Sequence, residues 1–168
     1  MEKTKVTKDA ENKTLTIERM FDAPKEKLWR AYADKDWFAQ WWGPEGWETT
    51  VKAFEFTPGG RIHYGMKCID QTQGEFYGQE SWGVMEIETI DAPDSLTVMD
   101  YFADAAGAIN PDMPAQKLTV TFEDENGRTR LISRSFYDTA EQLEELLQMG
   151  MAEGFASSAD KLEKLVAG

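Results

Sequence analysis

Thr139-Ala140-Glu141-Gln142-Leu143-Glu144-Glu145-Leu146-Leu147-Gln148-Met149-Gly150-Met151-Ala152-Glu153-Gly154-Phe155 begins the stretch that decides the fold, which runs on to Val166. Thr139 to Gln142 fits a capping box, with Thr139 as N-cap and Gln142 reaching back from the third helical position. Leu143, Leu147, Met151, Phe155, Leu162 and Val166 then recur at helical spacing. One helix of about 28 residues is predicted, ~42 Å long at 1.5 Å per residue. On the same face stand Gly150, Gly154 and Ser158. Each glycine costs a helix roughly 1 kcal/mol against alanine, so the centre of this face is expected to roof a cavity or receive unusually large side chains. A chain of this size has a diameter near ~40 Å, so the helix must cross the whole domain. Only a curved sheet wrapped around it buries its apolar stripe along that length.

The preceding segments supply that sheet. Thr14 to Phe21 alternates Leu15, Ile17, Arg19 and Phe21 against Thr14, Thr16, Glu18 and Met20, as a strand does. Asp22-Ala23-Pro24 starts a helix to about Ala33, with proline at its first position. Asp36 is expected to cap a second helix, Trp37 to Trp42, stopped by Gly43-Pro44. Strands are predicted at 49–56, 61–69, 75–89, 95–102, 116–123 and 128–137, the last two joined by a Glu125-Asn126-Gly127 turn. A long segment, Ala103–Ala115, separates the last two strands from the rest. Strand, two helices, a run of strands and a long helix spell an α+β fold with an antiparallel sheet of about six or seven strands.

Composition narrows the function classes. The chain of 168 residues is 41% hydrophobic and 29% charged, which suits one globular domain. No apolar run approaches a membrane span, and the start, MEKTKVTKDAENK, lacks the apolar core of a signal peptide. Cys68 is the single cysteine, so neither an intramolecular disulfide nor a zinc–cysteine site is expected, and a cytoplasmic protein is. A net charge of −13 repels phosphate backbones and anionic lipid, which argues against nucleic-acid or membrane partners. The charge reads first as solubility.

The order of several short motifs resembles the START-like helix-grip superfamily, and within it the activator of heat-shock protein 90 ATPase homologue-like family. They are Phe21-Asp22-Ala23-Pro24 with Leu28-Trp29-Arg30-Ala31, Trp41-Trp42-Gly43-Pro44, Pro58-Gly59-Gly60-Arg61 with Met66, Gly83 with Glu86-Ile87, and Met149 to Phe155 with Leu162 and Leu165. The resemblance spans about residues 13–166. It implies one START-like domain over 13–168, preceded by a flexible tail (1–12), and a cavity between sheet and terminal helix that often holds an apolar or amphipathic molecule. The chain departs from the family's pattern at Phe155, where tryptophan is common, and in the Ala103–Ala115 loop.

Candidate residues follow from these two lines together. Trp37, Trp41, Trp42, Trp47 and Trp82 lie in segments that face the terminal helix or its rim, either filling the core or lining a pocket. Trp42 is assigned to the cavity and Trp41 to packing. The ligand-binding set is Trp42, Tyr64, Met66, Trp82, Met85, Leu147, Met151, Gly154, Phe155 and Ser158. His63 is the only histidine; if Ile62, Tyr64 and Met66 face inward it faces outward, and it has no ligand partner for a metal. Glu75, Glu80, Glu86 and Asp100 lie on strands, with Glu86 and Asp100 read as outer-face groups. Arg61 reads as a turn-stabilising ion pair and Cys68 as buried. Neither a catalytic set, nor a metal, nor a cofactor is assigned.

Three functions fit. The first is a non-enzymatic module binding an apolar or aromatic small molecule. The second is a cyclase- or hydrolase-type enzyme using His63, Tyr64 or an inward carboxylate in the same cavity. The third is a chaperone-associated interaction domain, although the co-chaperone's further N-terminal domain has no counterpart in the short tail. A homodimer also stays open.

Overall fold

Alternating side chains lay eight strands edge to edge in a computed structural model that describes residues 4–167. In chain order the elements are β1 (Thr4–Asp9), β2 (Thr14–Phe21), α1 (Lys25–Ala33), α2 (Lys35–Trp41), β3 (Trp47–Phe54), β4 (Arg61–Cys68), β5 (Glu80–Asp91), β6 (Ser95–Ala103), β7 (Gln116–Glu125), β8 (Arg128–Phe136), α3 (Ala140–Gln148) and α4 (Met151–Ala167). A 3₁₀ turn, Gln71–Phe76, joins β4 to β5. The sheet runs β1-β2-β8-β7-β6-β5-β4-β3, antiparallel throughout. It curves around the C-terminal helical segment in the helix-grip manner. Among the described residues no helix is long and apolar enough to cross a membrane.

The sheet gains a strand where a flexible tail was expected: residues 4–9 pair with β2 through a turn in which Lys13 takes a positive φ of 58°. The inner side chains of β1 are exposed, so no apolar alternation announced it. Residues 1–3 of that tail lie outside the described residues.

The terminal helix is two helices. Gly150 adopts φ +86° and its N–H donates to the Leu147 carbonyl at 3.1 Å, closing α3 as a left-handed terminal glycine. Of the small residues in the apolar face, Gly150 is therefore a break, and only Gly154 and Ser158 belong to α4. The caps also shift by a residue or two. Pro24 is the N-cap of α1 rather than its first residue, and Asp34 caps α2 by accepting from the Asp36 and Trp37 N–H groups at 2.9 and 3.2 Å. Thr139 caps α3 as expected, but Gln142 Oε1 reaches back to the Asp138 N–H.

Two apolar clusters hold the domain. The larger packs α1, α2 and the C-terminal part of α4 onto the sheet through Phe21, Leu28, Trp41, Phe122 and Leu162. The smaller gathers Leu15, Ile17, Tyr137, Leu143 and Leu146, with Met151 and Phe155 leaning on it. Arg19 pins α4 to β2. Its side chain is 1% exposed, and it pairs with Asp160 at 2.8 Å and Glu163 at 3.2 Å.

Candidate functional site: a two-lobed cavity beneath the C-terminal helices

Strand register builds the floor. Ile62, Met85, Asp100 and Gln116 form one row across β4 to β7, and Tyr64, Gly83 and Phe102 form the next. Tyr64 lies flat across Gly83, where any Cβ would collide with its ring and hydroxyl. That bare backbone lets the Tyr64 hydroxyl donate to Asp100 Oδ1 at 2.9 Å, two strands away. Gln116 Nε2 donates to Asp100 Oδ2 at 3.3 Å, and the Tyr137 hydroxyl donates to Gln116 Oε1 at 2.6 Å. A hydrogen-bonded ladder, Tyr64–Asp100–Gln116–Tyr137, thus crosses the inner face.

Space opens above the ladder on both sides. One lobe, about 260 Å³, lies under the α3–α4 junction against Ser81, Phe102, Leu146, Met149 and Gly150. The other, about 210 Å³, lies under α4 against Trp41, Trp42, Gly154, Phe155 and Ser158, with Ser133 and Ser135 below. Tyr64, Met66, Asp100, Gln116 and Met151 wall both lobes. A Cβ built on Gly154 meets nothing within 4 Å. Gly154 thus borders the second lobe with bare backbone.

Burial sets the electrostatics. Loss of water pushes the Asp100 carboxyl up to about 6, against a counteracting pull from the Tyr64 and Gln116 hydrogen bonds. Burial first, and then the charge of Asp100, raise the Tyr64 hydroxyl well above its ordinary value. Burial pushes Tyr137 up to about 12. Among the described residues no lysine, arginine or histidine lines either lobe. Among the described residues no cluster of three or more His, Cys, Asp or Glu side chains is placed to hold a metal ion.

The structure brings seven of the ten candidate binding residues, Trp42, Tyr64, Met66, Met151, Gly154, Phe155 and Ser158, to the second lobe. Trp82 borders the first lobe, but its ring lies over Gly65 on the opposite face, 5.3 Å from the His63 ring and under Lys52 Nζ. Met85 shares the inward face but lies outside both lobes, in the larger core, where it borders a void of about 10 Å³ with Tyr32, Phe38 and Ile62. Leu147 packs on the smaller cluster while Leu146 takes the cavity wall. The break at Gly150 is the reason, because it releases α3 from the helical phase of α4.

Trp41 is buried as packing, its Nε1 donating to the Ala31 carbonyl at 2.8 Å, although it also touches the second lobe. Trp42 stacks on Phe38 with centroids 5.0 Å apart. Trp37 sits under Arg30, and Trp47 donates to Gln73. His63 does face outward, yet the Ala103–Ala115 segment folds over it. Its Nε2 lies 2.9 Å from the Asp104 carbonyl and the residue is 6% exposed. Glu75, Glu80 and Glu86 are exposed, Arg61 stands 4.0 Å from Glu86, and Cys68 is buried.

Asp100 is the correction that matters most. It was assigned to the outer face, but the alternation of Leu96, Val98, Asp100 and Phe102 puts it inward with the core. Gln116 and Tyr137 were missed as well. Their signal was the same period-two pattern, Gln116 with Leu118 and Val120, and Tyr137 with Leu131, Ser133 and Ser135.

A family model described as activator of Hsp90 ATPase homolog 1-like protein matches residues 22–167, and the chain belongs to that family. Among solved structures it is similar to protein Ms6760 from Mycobacterium smegmatis, at 34% identity and a TM-score of 0.87 over 97% of this chain and 96% of that one. It is similar also to a protein from Arthrobacter aurescens, at 32% identity and a TM-score of 0.87 over 97% and 91%. CalU16 from Micromonospora echinospora, at 16% identity and a TM-score of 0.61 over 97% and 84%, shares the fold alone. No curated protein matches the sequence.

Proposed function

We propose that this protein is a cytoplasmic binding module that takes up an apolar or aromatic small molecule in the two-lobed cavity. The observation that carries the reading is the open space over Gly154, walled by Trp42, Tyr64, Met151 and Phe155. Alanine at position 154 would improve helix propensity by about 1 kcal/mol and meet no neighbour, so the helix itself does not account for the glycine. Aromatic rings with a few convergent polar groups are the usual lining of such sites.

A second reading, the cyclase- or hydrolase-type enzyme, has one observation in its favour. Asp100, raised to about 6 and bonded to Tyr64, has the proton affinity of a general base working near neutral pH. The chaperone-associated reading rests on the family description alone.

Native mass spectrometry of freshly purified protein tests the primary reading. It is expected to show a small organic adduct that is lost on denaturation. The bare chain mass in every preparation, together with no binding of the neutral fluorophore N-phenyl-1-naphthylamine, would overturn it.

A further inference from the structure

Asp100 sits where the two lobes meet, and among the described residues it is the only acidic side chain in the wall of either. Among the described residues no lysine or arginine pairs with it. Its carboxylate can accept about four hydrogen bonds, and the protein supplies two, from Tyr64 and Gln116. Asp100 lines both lobes, so a ligand in the cavity can meet the remaining lone pairs. The lobes that meet there are lined by Trp42, Tyr64, Phe102 and Phe155.

A partly desolvated carboxylate with no protein countercharge, in a cavity lined by aromatic side chains, matches one ligand chemistry. The carboxylate attracts a cation by Coulomb's law in a medium that screens it less than water does. Aromatic faces attract the same cation through their quadrupoles. An anionic ligand is repelled by Asp100, and a neutral one leaves its charge uncompensated. We infer that the molecule taken up carries a protonated amine or similar organic cation, seated on Asp100 between the lobes, with its apolar body lying under α4.

This inference rests on the binding reading above and narrows it. The titratable groups facing Asp100 are Tyr64 on β4 and Tyr137 after β8, both with hydroxyls raised above their ordinary values. The helices α3 and α4 contribute no titratable side chain to either lobe. Asp100 is therefore the group whose charge changes between pH 5 and pH 7.5, and it is ionised at the higher value. A cation binds better as pH rises through this range.

Isothermal titration with 2-(2-naphthyl)ethylamine, its alcohol isostere and 2-naphthylacetic acid separates the possibilities. At pH 7.5 the amine is expected to bind at least about tenfold more tightly than the alcohol, and the acid weakest of the three. The amine should weaken about tenfold at pH 5, as Asp100 takes up a proton. Asp100→Asn should abolish the preference for the amine over the alcohol. Equal affinities for amine and alcohol in the unmodified protein, or a preference that persists at pH 5, would overturn the seating of a cation on Asp100 while sparing the cavity. Failure of all three to bind would overturn both.

Discussion

Tyr64 reaches Asp100 only because Gly83 stands between them without a side chain. The phenol crosses β5 flat against the backbone and delivers its hydroxyl to the carboxylate on β6. Gly83→Ala should therefore displace Tyr64 and cost about 1–3 kcal/mol, the usual range for forcing an atom into an occupied site. Urea unfolding measures this. An alanine variant as stable as the parent, with an unchanged tyrosine environment in near-ultraviolet circular dichroism, would contradict the packing described.

Asp100 makes stability depend on pH with a definite sign. Its folded pKa of about 6 lies above the ordinary 3.8, so the folded state binds the extra proton more tightly than the unfolded chain. This group's contribution is most favourable below about pH 4 and is lost as pH rises to about 6. The ionised side chain costs about 3 kcal/mol above that window. Asp100→Asn carries no such charge, and the Gln116 amide can turn to keep the ladder bonded. The variant should gain about 1–3 kcal/mol over the parent at pH 8 and lose that advantage at pH 4, by urea unfolding at both values. An advantage independent of pH would mean that Asp100 is well solvated.

Gly150 and Gly154, one helical turn apart in sequence, make opposite demands. Gly150 closes α3 at φ +86°, a conformation in which a Cβ is strained, and alanine there should destabilise by about 1–2 kcal/mol. Gly154 is helical, with open space beside it, and alanine there should stabilise by about 0.5–1 kcal/mol. Thermal unfolding of the two variants gives opposite shifts. Shifts of the same sign would mean that α3 and α4 are not divided as described.

The Arg19 cluster is asymmetric. Asp160 and Glu163 have side chains 53% and 40% exposed, whereas the guanidinium is almost wholly buried. Arg19→Met leaves two hydrated carboxylates and should cost no more than about 1 kcal/mol, as apolar replacements of buried ions commonly do. The double change Asp160→Asn with Glu163→Gln strands a buried cation and should cost about 3–5 kcal/mol. Equal costs in denaturant would rule out the pinning role of this cluster.

Most of the architecture was legible because the sheet has a buried face and an exposed one. Leu15, Ile17, Arg19 and Phe21 declare their strand by alternation, and the Asn126-Gly127 turn, with both residues at positive φ, declares its hairpin. β1 was illegible because its side chains are mostly exposed and its order comes from backbone pairing. The division at Gly150 was hidden for another reason. A glycine tolerated within a helix and a glycine ending one look alike until φ is known. At the site, the roof residues were legible from size and spacing, whereas Asp100 was discounted on its charge despite its position beside Leu96 and Val98. Trp82 could not be placed without the register that lays it over Gly65 rather than beneath α4.

The central claim is that the space beneath Gly154 is a binding site, and filling it is the most direct test. Gly154→Leu should fold with stability equal to or above the parent's, since the side chain enters open space on a helix. Titration with N-phenyl-1-naphthylamine, followed by its fluorescence, should then show affinity at least about tenfold weaker than for the parent, a difference of roughly 1.4 kcal/mol. A stable Gly154→Leu protein that binds the fluorophore as tightly as the parent would contradict the account.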